Sequence, residues 1–279
     1  MDINKIQIII QQRVKQYLLL SKAIRNNHSA KTIHAFRVAS RQLLALEPVL
    51  NTPENNRYWA KKANSWLKRC GEIRNLQVLQ HKFDFSERVD TILEQAINKE
   101  IKNNQEIFKK IGGKKFREEL TDCTGKFYKT IEKNPNQFAH KVLDAWSVTK
   151  AELLDSISSL QPDTPKTFHQ LRIKYKKVRY LVDFLDEAQL ININLSGELK
   201  HWQNRLGEIQ DLSMGEAWLA DIPRTIKARS NLNAQSKKLR IKFILQTEQF
   251  KQLISALDRT IKTALKPIAR SSSGELQDH

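Results

Sequence analysis

The sequence predicts an all-α protein: two pseudo-symmetric helical bundles, about four long helices each, arising from an internal duplication. Three observations carry this. Apolar residues recur at helical spacing almost throughout, and no stretch alternates with the period of a strand. Only eight Gly and seven Pro interrupt 279 residues, and Lys, Glu, Gln, Leu, Ile and Ala dominate, a composition that favours helix. Two segments also occur twice. IHAFRVASRQLLALEPVL at 33–50 answers FHQLRIKYKKVRYLVDFL at 168–185, and WLKRCGEIRNL at 66–76 answers WQNRLGEIQDL at 202–212. The offsets, 135 and 136 residues, are domain-sized and far exceed the roughly 20–50 residues of solenoid units.

The elements follow in order. Helices are expected near 3–26 and 30–47, the second ending where Pro48 enters, with NTP at 51–53 making the break. A third spans about 54–80. Two more, near 86–111 and 114–133, are separated by Gly112 and Gly113. NPNQ at 134–137 divides a first unit, 1–134, from a second, 135–268, with a flexible tail over 269–279. The second unit opens with a helix near 138–160. QPDTPK then breaks the chain, with Thr164 as N-cap and Pro165 in the first turn of a helix over 165–187. Helices near 195–220 and 234–265 complete the order.

The formal net charge is +18, so an anionic partner is the expectation. The charge is concentrated. Eight bases lie between Asp2 and Glu47, six between Asp163 and Asp183, and seven between Asp221 and Glu248, with no acid inside any of these windows. Solvated helix faces ordinarily mix both signs. Cys70 and Cys123 belong to no CxxC or Cys/His cluster, so no zinc site is indicated, and two thiols in so long a chain suit a reducing compartment. The interrupted apolar run MDINKIQIIIQQ lacks the marks of a signal peptide, and no 18-residue apolar stretch exists. A cytoplasmic protein with no transmembrane helix and no membrane partner is expected.

The repeated helices place their charges on one side. With His169 at zero on a helix turning 100° per residue, Arg172, Lys176 and Arg179 fall at about −60°, −20° and −80°. Leu171, Tyr175, Val178, Val182 and Leu185 gather opposite. In the first copy His34, Arg37 and Arg41 share one stripe, and Phe36, Ala39, Leu43, Leu46 and Leu50 the other. Like charges at i,i+4, as in Arg37–Arg41 and Arg172–Lys176, destabilise a helix by about 0.2–0.5 kcal/mol. Their recurrence argues for a compensating bound anion. Arg offers a planar fork to phosphate oxygens, Lys a movable point charge and His one or two donors. A lone His is more often structural, but here it recurs on the basic stripe. Neither His has a second ligand at i+3 or i+4, so no metal is expected.

In the second motif Gly71 and Gly207 coincide, where a helical Gly marks close approach of another helix. Arg69 and Arg205 precede them by two residues and are expected to reach the anion from a neighbouring helix. Lys31 and Lys166 open the two basic helices, where a cation opposes the helix dipole, a placement that also suits an anion site.

HAFRVASR at 34–41 and HQLRIKYKKVRY at 169–180, each followed by a GEI segment, resemble the CHAD family, the conserved-histidine α-helical domain. The resemblance runs from the first helix to about residue 265. It implies one CHAD domain made of two pseudo-symmetric four-helix units. It further implies inorganic polyphosphate bound along a basic cavity or pore between them, and association with polyphosphate granules. Carried over by motif, His34, Arg37 and Arg41 match in the first unit, and His169, Arg172, Lys176, Lys177 and Arg179 in the second. Gln42 and Leu44 stand where family members often carry further bases, which implies that the second unit holds more of the ligand. The E-x-E-x-K signature of the triphosphate-tunnel domains fused to many members is absent, as are a P-loop, an HExxH motif and a G-x-S-x-G elbow. A non-catalytic protein without cofactor is expected. Nucleic acid is the competing polyanion, although the basic stripes carry little aromatic interleaving for base stacking.

Overall fold

The computed structural model describes residues 1–50 and 58–270. The break expected at NTP 51–53 and the tail after 270 lie outside the described residues. Among the described residues every regular element is a helix. In chain order these are α1 (Ile3–Ala23), α2 (Ala30–Leu44), the short α3 (Glu47–Leu50), α4 (Tyr58–Lys82), α5 (Glu87–Lys110), α6 (Lys114–Lys133), α7 (Pro135–Ser158), α8 (Pro165–Glu187), α9 (Ser196–Leu219), α10 (Ile226–Ile244) and α11 (Thr247–Arg270).

Five long helices therefore stand on each side of Asn134, rather than about four. The expected single helix over 234–265 is two, α10 and α11. Neither Gly nor Pro marks the break at Leu245–Gln246; tertiary packing sets it, because α10 lies on α9 whereas α11 runs along α7. Phe243 and Phe250, one on each helix, both close on Trp202 of α9, with ring centroids 5.3 and 4.9 Å away. Helix α11 also continues to Arg270, past the expected start of the tail at 269.

Local chemistry explains the helix starts. Asp2 accepts from the Lys5 amide and Ser29 from the Thr32 amide, capping α1 and α2. At α8, Thr164 takes the N-cap position and Pro165 the first turn, but the Thr164 side chain makes no capping bond. Gly112 ends α5 with φ of 61°, a left-handed conformation that favours glycine. Its carbonyl accepts from Arg25 and Arg117 at 3.0 and 2.7 Å.

The apolar stripes of α2 and α8 are buried as expected. Phe36, Leu43, Leu46, Leu171, Tyr175, Val178, Val182 and Leu185 are fully enclosed. One core runs through both sides of Asn134, from Ile6 to Ala269. A smaller cluster of Val89, Leu212, Leu219, Ile222 and Leu232 ties α5 to α9 and α10. Arg13 on α1 is buried and bridges the two sides: Nη2 donates to Glu187 of α8 at 2.9 Å, Nη1 to the Gln42 carbonyl at 3.2 Å, and the guanidinium lies 5.3 Å from the Phe184 ring. No described helix is long and apolar enough to cross a membrane.

Candidate functional site

Four helices close a ring of contacts: α2 packs on α4, α4 on α9, α9 on α8 and α8 back on α2. The inner turns of this ring hold the basic residues. From α2 come His34, Arg37 and Arg41; from α8, Arg172, Lys176 and Tyr180; from α4, Arg74; from α9, Asp211. The two basic rows thus converge, and each side chain feels the others. Burial and then Arg41 push the Arg37 guanidinium below its usual range, with Arg172 and Arg74 adding to the effect. Burial lowers Arg172 too, with Asp211 opposing and Arg41 reinforcing. Burial depresses Arg41, which the Tyr180 hydroxyl partly offsets by hydrogen bonding. All three guanidiniums remain charged at neutral pH.

Lys176 is the most perturbed. Burial, then Arg172, Arg41 and Arg37, push its ammonium down to about 5, and the Asp211 carboxylate only partly counters them. Loss of water and like charge both disfavour the protonated amine. Asp211 itself is engaged by Lys82 of α4 at 3.0 Å. His34 lies exposed at the edge, lowered first by desolvation and then by Arg74, Arg41, Arg37 and Lys176. His169 is held at the α8/α9 contact, its Nδ1 2.6 Å from Gln210 Oε1. The buried Nε of Arg172 has no hydrogen-bond partner, a donor left open in a site rich in charge.

The other residues singled out from sequence lie outside this cluster. Arg179 pairs with Asp183 at 3.6 Å, and Lys177 reaches Glu152 on α7 at 3.5 Å. Lys31 and Lys166 are exposed at their helix starts. Arg69 is exposed and 3.8 Å from Glu72. Arg205 hydrogen-bonds Gln246 and lies over the Trp202 and Phe243 rings. Helix geometry explains the last two. Each precedes its glycine by two residues, which turns it about 160° away from the glycine face. Arg74 and Asp211, three and four residues after the glycines, fall within about 60° of that face. The same count would have identified them.

The glycines differ from expectation. Gly71 is approached not by a helix backbone but by a side chain: Arg37 Nη1 crosses it and donates to the Leu67 carbonyl at 2.7 Å. A Cβ at Gly71 would meet Nη1 at 2.6 Å, whereas at Gly207 nothing lies within 4 Å. Gly207→Ala is therefore expected to raise unfolding free energy by about 0.5–1 kcal/mol, the helix-propensity gain. Gly71→Ala should show no such gain, because Arg37 must leave its carbonyl. Urea denaturation of the two variants side by side checks the contrast.

Two surface depressions, of about 830 and 460 Å³, lie elsewhere, one by Gln189 and Arg259 and the other by His201 and Gln249, and touch none of the cluster. Among the described residues no group of three or more His, Cys, Asp or Glu is placed to hold a metal ion.

The architecture is similar to that of a solved CHAD domain from the plant Ricinus communis. The TM-score is 0.59 at 14% sequence identity, over 95% of this chain and 91% of that one. At this identity the likeness is one of fold. None of the curated proteins matches the chain. The family model of the CHAD domain matches residues 8–220, a span that contains α2, α4, α8 and α9 and every residue of the basic cluster. With the repeated His and Arg helices, the convergent fold and this match in agreement, the chain belongs to the CHAD domain family.

Proposed function

We propose that this protein binds inorganic polyphosphate at the α2/α4/α8/α9 junction, without chemically altering it, and that it associates with polyphosphate granules. The observation that carries the reading is the concentration of Arg37, Arg41, Arg74, Arg172 and Lys176, countered by one carboxylate, Asp211, which acts on Arg74, Arg172 and Lys176 and is itself engaged by Lys82. Such a cluster is costly without a counter-ion and is relieved by one that is densely and repeatedly charged. A linear phosphate polymer supplies that charge with no base to stack and no apolar surface to bury.

Long-chain polyphosphate binding, followed by calorimetry at several salt concentrations, tests this. Affinity should fall steeply with salt, as counterion release requires. Replacing Arg41, Arg172 and Lys176 together by Ala should lower it about 100-fold or more, because each charge-assisted bond contributes about 1.5–3 kcal/mol. Replacing Lys227, Lys238 and Lys242 by Gln removes at least as much charge and should change affinity less than about threefold. Equal losses would mean that only total charge matters. Displacement by RNA or DNA at equal phosphate concentration would transfer the site to nucleic acid, and phosphate release with added Mg²⁺ would make the protein an enzyme.

A further inference from the structure

Helix α10 presents a second basic surface that the junction does not use. It packs on α9 through Leu232, Ser236, Arg240 and Phe243, all buried. With Ile226 at zero, these four fall at about 240–320° around the helix. The opposite arc, from about 0° to 160°, carries Ile226, Lys227, Lys237, Lys238, Ile241, Lys242 and Leu245. No acid occurs between Asp221 and Glu248. Lys237 meets Asp163 at 2.6 Å, while Lys227, Lys238 and Lys242 are exposed with no acidic partner among the described residues.

The aliphatic residues on this arc are unusual. Ile226 is 83% exposed, Leu245 79% and Ile241 42%. Ile226 and Leu245 sit at the two ends of the helix, about 28 Å apart, and both ends are anchored. Buried Thr225 donates its hydroxyl to the Leu219 and Ile222 carbonyls. The Leu245 amide continues the helical pattern to Ile241, and the neighbouring Phe243 is fully buried. The exposure of the aliphatics is thus fixed by buried neighbours.

We infer that the outer face of α10 docks on an anionic lipid bilayer, its lysines at the headgroups and Ile226, Ile241 and Leu245 in the acyl boundary. Charge complementarity selects the occupant. A second copy of the same face would set lysine against lysine. A nucleic acid would match the charge but leave the aliphatics in water, and the arc offers no aromatic ring for base stacking. A bilayer matches both, because lysine stems can lie along apolar surface while their ammonium groups reach the phosphates. The helix lies flat on the protein, so it would meet the membrane along its length.

The inference is independent of polyphosphate binding and is tested on the full chain by sedimentation with vesicles at 0.1 M salt. Binding to phosphatidylcholine containing one quarter phosphatidylglycerol, and not to phosphatidylcholine alone, is expected. Each lysine near an anionic surface adds roughly fivefold, so Lys227→Gln/Lys238→Gln/Lys242→Gln should lose about 100-fold. Ile226→Ser/Leu245→Ser should lose about tenfold with polyphosphate affinity unchanged; both variants alter only exposed side chains, and circular dichroism verifies their folding. Absence of binding to the anionic vesicles overturns the inference. So does a serine variant that binds as the wild type, which would assign the face to a purely ionic partner such as nucleic acid. Loss of vesicle binding in Arg172→Ala/Lys176→Ala would assign lipid to the junction instead, and a dimer abolished by the serine pair would assign the face to a second copy.

Discussion

Polyphosphate affinity is expected to rise as pH falls from 8 to 6, by up to about tenfold per unit. The cause is Lys176. In the free protein burial and the neighbouring Arg172, Arg41 and Arg37 hold its amine at about 5, so at neutral pH it is unprotonated. Phosphate oxygens arriving between α2 and α8 reverse the balance, because the charged amine then gains an anionic partner. Its value in the complex rises, and between the free and bound values one proton enters with the ligand. By linkage one proton taken up changes the binding constant tenfold per pH unit, with tighter binding at the acid side. The charged groups acting on Lys176 fix the sign: Arg37, Arg41 and His34 on α2, Arg172 on α8, and the opposing Asp211 on α9. His34, also depressed by burial and by Arg74, Arg41 and Arg37, adds uptake in the same direction. Calorimetry in buffers of different ionisation enthalpy counts the protons. A value of zero would mean that Lys176 is already charged or never meets the ligand.

Lys176→Met should make the free protein more stable and a worse binder. A lysine whose folded value is depressed binds more protons unfolded than folded at every pH between about 5 and its ordinary value of 10.5. Stability therefore increases with pH across that window and is lost as pH falls through it. At pH 7 the wild type carries this cost. Methionine fills the same volume without it, and an increase on the order of 1–2 kcal/mol is expected, or about 2–3 °C in Tm for a chain of this length. Stability should also become flatter with pH, and polyphosphate affinity should fall at least about tenfold. A Tm below that of the wild type would show that the Lys176 amine makes a stabilising bond in the free state.

Much of the fold was legible because α-helical periodicity is dense and breakers are few. Helix α6 begins and ends where Gly113 and Asn134 put it, and α8 begins at Pro165. The α10/α11 break was not legible, since it arises from two packing partners, α9 and α7, and not from a local signal. At the site, the angular count on α2 and α8 identified Arg37, Arg41, Arg172 and Lys176, and the same count applied to α4 and α9 would have excluded Arg69 and Arg205. Arg74 and Asp211 were missed for another reason. Their repeat partners are Gln210 and Asn75, so a comparison that looks for matched residues passes over both. Arg179 shares the basic sector but finds Asp183, a choice of rotamer, whereas Lys177, about 80° to the other side of His169, reaches Glu152, a contact that depends on how α7 packs.

The unequal glycines give the junction a direction. On one flank Arg37 is tethered over Gly71 to the Leu67 carbonyl; on the other, Gly207 is uncovered and Arg172 keeps a free Nε. A polymer of identical units laid across it would meet a fixed donor at one end and a yielding one at the other. A shift by one unit returns an equivalent state, so a strand slides equally fast both ways, while its two flanks are gripped unequally.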